Sequence, residues 1–183
     1  MWHGKRPGCP GFGTTLPAGS RHRRQASPKQ IENAFPHPSI RYRIEPAENT
    51  SIEPGSVDLI TAGTAIHWFD FGSFYGEVRR VGKPGAVLAV WTYHFLVVNP
   101  AVDAVLARFY WQTLDVFWPE RIHFLEEHYQ TLPFPFEEIE PPAFQMQANW
   151  GLGDLVGFIN SWSATQNISS KQASILWTIS LMI

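Results

Sequence analysis

The chain has almost no cysteine, little charge and no long apolar run. Its 183 residues include a single cysteine, Cys9. One thiol excludes an internal disulfide framework and fits a reducing compartment. The seven histidines are scattered, with no pair at ligand spacing on an expected helix, so no metal site is expected. Charged residues make up 16% of the chain, the net charge is −2, and the bases are gathered near the amino end. A surface that tracks phosphates needs a basic stripe through the folded part, so no nucleic-acid partner is expected. No stretch reaches the roughly 20 apolar residues that cross a bilayer. The closest is Ile175 to Ile183, and no apolar core of signal-peptide length lies near the start. The expected location is therefore the cytoplasm, without membrane attachment, and the sequons at Asn49 and Asn167 are read as chance. There is also no Gly-x-Ser-x-Gly elbow and no Walker loop.

What is present is apolar and aromatic. The hydrophobic fraction is 44%, with 8 Trp, 13 Phe and 5 Tyr, enough for one domain with a real core. Residues 1–25 stand apart: they carry Lys5, Arg6, Arg21, Arg23 and Arg24, many Gly and Pro, no acid and no period, and are expected to be a disordered or non-homologous tail. Ser27 and Pro28 have the chemistry of a helix start, giving a short helix to Ala34. Ile40 to Ile44 alternates apolar with charged residues, a strand pattern.

The run from Val57 to Thr92 reads as strand, helix, strand. Val57-Asp58-Leu59-Ile60-Thr61 and Ala86-Val87-Leu88-Ala89-Val90-Trp91 are short apolar runs without alternation, the pattern of parallel strands covered on both faces. Between them Asp70 is a good N-cap. Phe71, Phe74, Tyr75, Val78 and Val81 then form one apolar stripe, with Glu77, Arg79 and Arg80 on the other side and Pro84-Gly85 as the expected stop. Further on, a helix is expected over Pro100 to Asp115, a helical turn over Phe124 to Tyr129, a strand over Phe144 to Trp150 and a helix over Leu152 to Trp162. Leu132-Pro133-Phe134-Pro135-Phe136 is not helical, and no role is legible after Asn167.

Several ordered blocks together resemble the class I S-adenosylmethionine-dependent methyltransferases, in particular the group similar to trans-aconitate methyltransferase. They are Glu45-Pro46-Ala47-Glu48, Ser56 to Ile60, Ala65-Ile66-His67-Trp68-Phe69-Asp70, Glu77 to Val81, Lys83-Pro84-Gly85, Trp118-Pro119-Glu120-Arg121, Leu132 to Phe136 and Ser161 to Thr165. The resemblance implies an α/β fold, the Rossmann-like doubly wound sheet, with residues 26–166 as a partial methyltransferase domain and 167–183 as a tail. It also implies S-adenosyl-L-methionine as cofactor and a small-molecule acceptor. Ala47 and Glu48 match the adenine site, Ala62, Gly63 and Thr64 the wall beside the methionine part, and His67 and Trp68 the mouth of the substrate pocket. His67 would be a general base if the acceptor needed one, and Tyr93 would reach the same pocket. The family's first strand and Asp-x-Gly-x-Gly loop have no counterpart here, and Gln25 stands where an acid usually binds ribose. The chain is therefore expected to be N-terminally truncated.

Bland readings stand beside these. His67 and Trp68 serve equally well as packing, Asp58 as a strand-start acceptor, Arg79 and Arg80 as an exposed helix face, and the aromatic clusters as core. A non-catalytic remnant is the competing function, and a nicotinamide-dependent oxidoreductase lacks the same glycine loop.

Overall fold

The computed structural model of the chain describes residues 21–24 and 31–169, apart from 94 and 143. Cys9, the amino-terminal glycines, Gln25 and the Ser27-Pro28 helix start lie outside the described residues. The chain divides into two units, Met1–Ser51 and Ile52–Ile183.

In the first unit, β1 (Arg21–Arg24) pairs in parallel with β2 (Ile40–Arg43), from Arg21 opposite Ile40 to Arg24 opposite Arg43. Strand β1 lies inside the segment expected to be a tail. Four residues of Arg and His carry no apolar period, so this strand exists through its partner and is invisible to local reading. Strand β2 is as expected, ending one residue early. Beyond it the chain is tied by Glu45, whose carboxylate accepts from the Ser51 N–H at 2.9 Å and faces Arg43 at 3.5 Å.

In the second unit, β3 (Val57–Gly63), α1 (Phe71–Val81) and β4 (Gly82–Trp91) form a parallel strand-helix-strand module. Asp70 caps α1 as expected, accepting from the Ser73 N–H at 2.9 Å. The helix buries Phe74, Tyr75, Val78 and Val81, the apolar stripe of the sequence. Glu77, placed on the polar side by pattern, is also buried, and the Arg80 guanidinium meets both of its oxygens at 2.7 Å. Arg79 is likewise not simply solvated: it donates to the Pro135 carbonyl and lies over the Phe136 ring. Asp58 pairs with Lys83 at 2.8 Å instead of accepting from its own turn.

The helix stops at Val81, before Pro84-Gly85. Gly82 is both its last cap and the first residue of β4, donating its N–H to the Val78 carbonyl. The Lys83 to Ala86 stretch is taken up in an irregularity: Val57 faces Gly82, but Leu59 faces Val87. Gly85 sits there at φ 80°, a backbone conformation suited to glycine. A Cβ at Gly82 would lie 2.9 Å from the Val78 carbonyl oxygen and 3.3 Å from the Ala86 Cβ. Gly82→Val is therefore expected to lower the unfolding free energy by about 2 kcal/mol, the scale of an overpacked site. Urea unfolding checks this; an unchanged midpoint would contradict the crowding.

The strands are not covered on both faces as their apolar runs predict. Leu59, Val87 and Trp91 are exposed, while Ala62 is buried. A continuous apolar run fixes strand character without fixing what covers it.

The remaining helices build a separate apolar cluster. Helix α2 (Pro100–Arg108) is capped by Asn99, whose side chain accepts from the Ala101 and Val102 N–H groups. It gives way at Phe109–Thr113 to a wider π turn in which the Leu114 N–H donates to the Phe109 carbonyl at 2.9 Å, so the helix expected to reach Asp115 does not. A short α3 (His123–Glu126) follows, then α4 (Leu152–Asn160) and α5 (Ser163–Ser169). Leu106, Phe109, Leu114, Leu155, Ile159, Ala164 and Ile168 form the core, flanked by Trp118 and Trp162. Ile168 lies beyond the boundary expected at residue 166, because α5 runs through it. Phe144 to Trp150 is extended chain, not strand, with Phe144 and Met146 exposed; its alternation has no strand beside it to pair with.

Candidate active site

Parallel strands bring their carboxyl ends to one edge, and in open α/β sheets ligands bind there. At the end of β3, Ala62 is 5% exposed and Gly63 lies against the Trp91 indole, which a Cβ at position 63 would meet at 2.8 Å. The smallness of Gly63 thus admits a neighbouring ring rather than leaving open backbone. Thr64 follows with φ 48°, an uncommon conformation for a threonine, and its N–H donates to the Trp91 carbonyl at 2.8 Å. This bond ties the end of β3 to the end of β4.

A one-turn 3-10 helix, Ile66–Trp68, then drives His67 inward to 2% exposure and leaves Trp68 half-exposed beside it, ring centres 4.8 Å apart. The His67 Nδ1 is 2.8 Å from the Tyr129 hydroxyl. Arg121 clamps the same turn from outside, donating through Nη1 to the carbonyls of Phe69 at 2.6 Å and His67 at 3.4 Å, with its guanidinium over the Phe71 ring. Burial, reinforced by the Arg121 charge, lowers the His67 pKa to about 4. Near neutral pH the imidazole is uncharged.

Tyr129 is held by a distorted chain. His128 and Tyr129 both have left-handed backbone, φ 54° and 61°, after α3, and the Tyr129 N–H donates to the Phe124 carbonyl at 2.7 Å. Two consecutive non-glycine residues in this region store strain that surrounding contacts must hold. Burial raises the Tyr129 pKa to about 12, against a bond from the Thr92 side chain, just past β4, that favours the phenolate. Tyr93, the next residue, packs against Phe158 with ring centres 6.0 Å apart, and burial raises its pKa as well.

The structure therefore gathers Ala62, Gly63, Thr64, His67, Trp68 and Tyr93 at the ends of β3 and β4. Ala47 and Glu48 belong to the first unit, half-buried in the turn after β2, where the Asn49 N–H donates to the Pro46 carbonyl. Sequence reasoning missed Tyr129 and Thr92, and gave Arg121 no role. Arg121 was legible only as part of a family block. Nothing in the sequence signals the left-handed pair that presents Tyr129.

A strand-helix-strand unit with parallel strands and a polar cluster at their carboxyl ends defines a protein of the α/β class. Comparison with known proteins narrows this. Residues 18–90 match the methyltransferase domain family. A solved structure from Anaeromyxobacter dehalogenans, provisionally named a type II methyltransferase, is 40% identical with a TM-score of 0.77, over 89% of this chain and 70% of that one. A Dictyostelium discoideum protein, provisionally named a methyltransferase, is 30% identical over 142 residues, which are 76% of this chain. The chain belongs to the methyltransferase family, and its fold is the Rossmann-like α/β class. It spans 54% of the Dictyostelium relative's length. The family match begins at residue 18, upstream of the domain start expected at residue 26.

Proposed function

We propose that the chain carries part of an S-adenosylmethionine-dependent methyltransferase whose acceptor is a small molecule bearing a carboxylate, of the kind handled by the trans-aconitate methyltransferase group. The observation that carries this reading is the buried, neutral His67 at the carboxyl ends of the parallel pair, in a chain of this family. A histidine with a pKa near 4 is a poor base at neutral pH, so the site favours an acceptor already ionised before reaction.

The residues fit such a role in chemistry. The left-handed turn at Thr64 leaves β3 sharply, and the half-exposed Trp68 and Trp91 offer apolar faces to a ligand. Ala62, Gly63 and Thr64 would flank the methionine part of the cofactor. S-adenosylmethionine, when bound, supplies a methyl group on a sulfonium, activated for attack by an acceptor oxygen. The chain's own contribution is alignment and exclusion of water, for which a rigid, hydrogen-bonded turn at His67 is suited. No covalent nucleophile is required, and Tyr93 serves as pocket wall.

Calorimetric titration with S-adenosylhomocysteine tests this on the purified chain. Micromolar binding is expected. Absence of binding at millimolar cofactor would overturn the reading in favour of a non-catalytic remnant of the fold.

A further inference from the structure

We infer that Arg121 is a specificity-determining residue whose free guanidinium edge binds an anionic group of the acceptor that does not itself react, a second carboxylate under the reading above. Its donors are unevenly committed. A guanidinium carries N–H groups on all three nitrogens, in one plane, and accepts nothing. Both bonds that Arg121 makes, to the Phe69 carbonyl at 2.6 Å and the His67 carbonyl at 3.4 Å, leave from a single nitrogen, Nη1. Among the described residues nothing accepts from Nε or Nη2. Those two nitrogens share one edge, and their parallel N–H groups are a fork that takes a carboxylate side-on.

The fork is also held still. The guanidinium lies over the Phe71 ring, 5.2 Å from its centre, and the two carbonyls it bonds bracket the half-exposed Trp68. A side chain fixed in this way loses little freedom when an anion arrives. Its charge is not neutralised by an ion pair among the described residues, whereas Arg43, Arg80 and Lys83 each meet a carboxylate. Asp70, which follows Phe69 in the same turn, has Oδ1 committed to the Ser73 N–H. A clamp on two neutral carbonyls accounts for Nη1 alone. It leaves an exposed, ordered and unpaired cation beside Trp68, on the turn that follows β3.

The group held there is not the one that reacts. An oxygen attacks a methyl carbon through a lone pair, and two charge-assisted hydrogen bonds from one guanidinium tie up that electron density. Arg121 therefore grips a different anionic group of the same molecule and orients it. His67, uncharged near neutral pH, contributes no second cation to the turn. The identity of the acceptor rests on the methyltransferase reading, whereas the anion site at Arg121 does not.

The test is a titration of the full chain with tricarballylate, a saturated tricarboxylate, followed through the Trp68 indole N–H signal, which is assigned by its loss in W68F. The parent is expected to show a saturable shift, and none with the uncharged triamide of the same acid. R121Q is expected to bind tricarballylate roughly tenfold more weakly or worse, the weight of a charge-assisted hydrogen bond. R121K keeps the charge without the fork and is expected to fall between the two. It decides the matter should R121Q not fold. A parent that does not respond, an equal response to the triamide, or a variant that binds tricarballylate as the parent does would overturn the inference and leave Arg121 as a clamp on the turn. Failure to bind S-adenosylhomocysteine would instead sink the methyltransferase reading, while the tricarballylate titration, which needs no cofactor, stayed legible.

Discussion

Leu114→Ala is expected to cost about 3 kcal/mol of folding stability. Leu114 has no exposed surface and lies among Leu106, Phe109, Leu155, Ile159 and Ile168. Truncation loses the transfer free energy of the removed carbons and leaves a cavity, a combination that costs about 2–5 kcal/mol in well-packed cores. The site cannot readily collapse, because the Leu114 N–H is tied to the Phe109 carbonyl and the Leu114 carbonyl accepts from Phe117. Leu114→Met, which nearly conserves volume, is expected to cost less than about 1.5 kcal/mol. Paired urea titrations measure both; equal midpoints for the two variants would mean that the cluster is not packed as described.

Acid is expected to weaken the parent chain through His67. The unfolded histidine has its ordinary pKa of 6.5, and the folded one is lowered to about 4. Between those values the unfolded state binds a proton that the folded state refuses, so stability is fully present above pH 6.5 and falls as the pH drops toward 4. One proton corresponds to a slope of at most about 1.4 kcal/mol per pH unit. Asp70, whose carboxyl is held below its usual range by the Ser73 N–H, adds an acid-side loss at lower pH, outside this window. Denaturant titrations of the parent and of H67Q across this range separate the two contributions. H67Q keeps a side chain able to meet the Tyr129 hydroxyl but cannot titrate, so its stability is expected to vary less. Parallel pH dependences would show that His67 is not shielded in solution.

How much of this was legible depended on whether the deciding contacts were local. The cap at Asp70 and the stripe from Phe71 to Val81 were readable because a helix buries residues three and four apart. Strand β3 was readable from its Val and Ile content, and Gly63 and His67 from a family pattern. Glu77 was misread since a buried carboxylate needs a partner that periodicity does not name; Arg80 is three residues away and still invisible to an apolar count. Strand β1 and the non-strand at Phe144 to Trp150 fail for one reason in opposite directions, namely that strand character is settled by what lies alongside. The site shows the same division: its strand-end residues were anticipated, whereas Thr92, Arg121 and Tyr129 act across separations of 37 to 62 residues, through turns whose backbone angles have no sequence signature.

The π turn at Phe109–Thr113 carries a lesson about insertions and deletions. In an ideal α-helix, residues five apart point about 140° away from each other. The wider turn cancels much of that angle, so Phe109 and Leu114 share one core. Such a turn is equivalent to an α-helix with one residue added. Removing the exposed Gln112 would restore ordinary helical winding and leave Phe109 and Leu114 four positions apart, about 40° from each other, so that both keep facing one core. A one-residue deletion at this point is therefore expected to keep the core register, whereas the same deletion inside α2 would turn everything after it by about 100°.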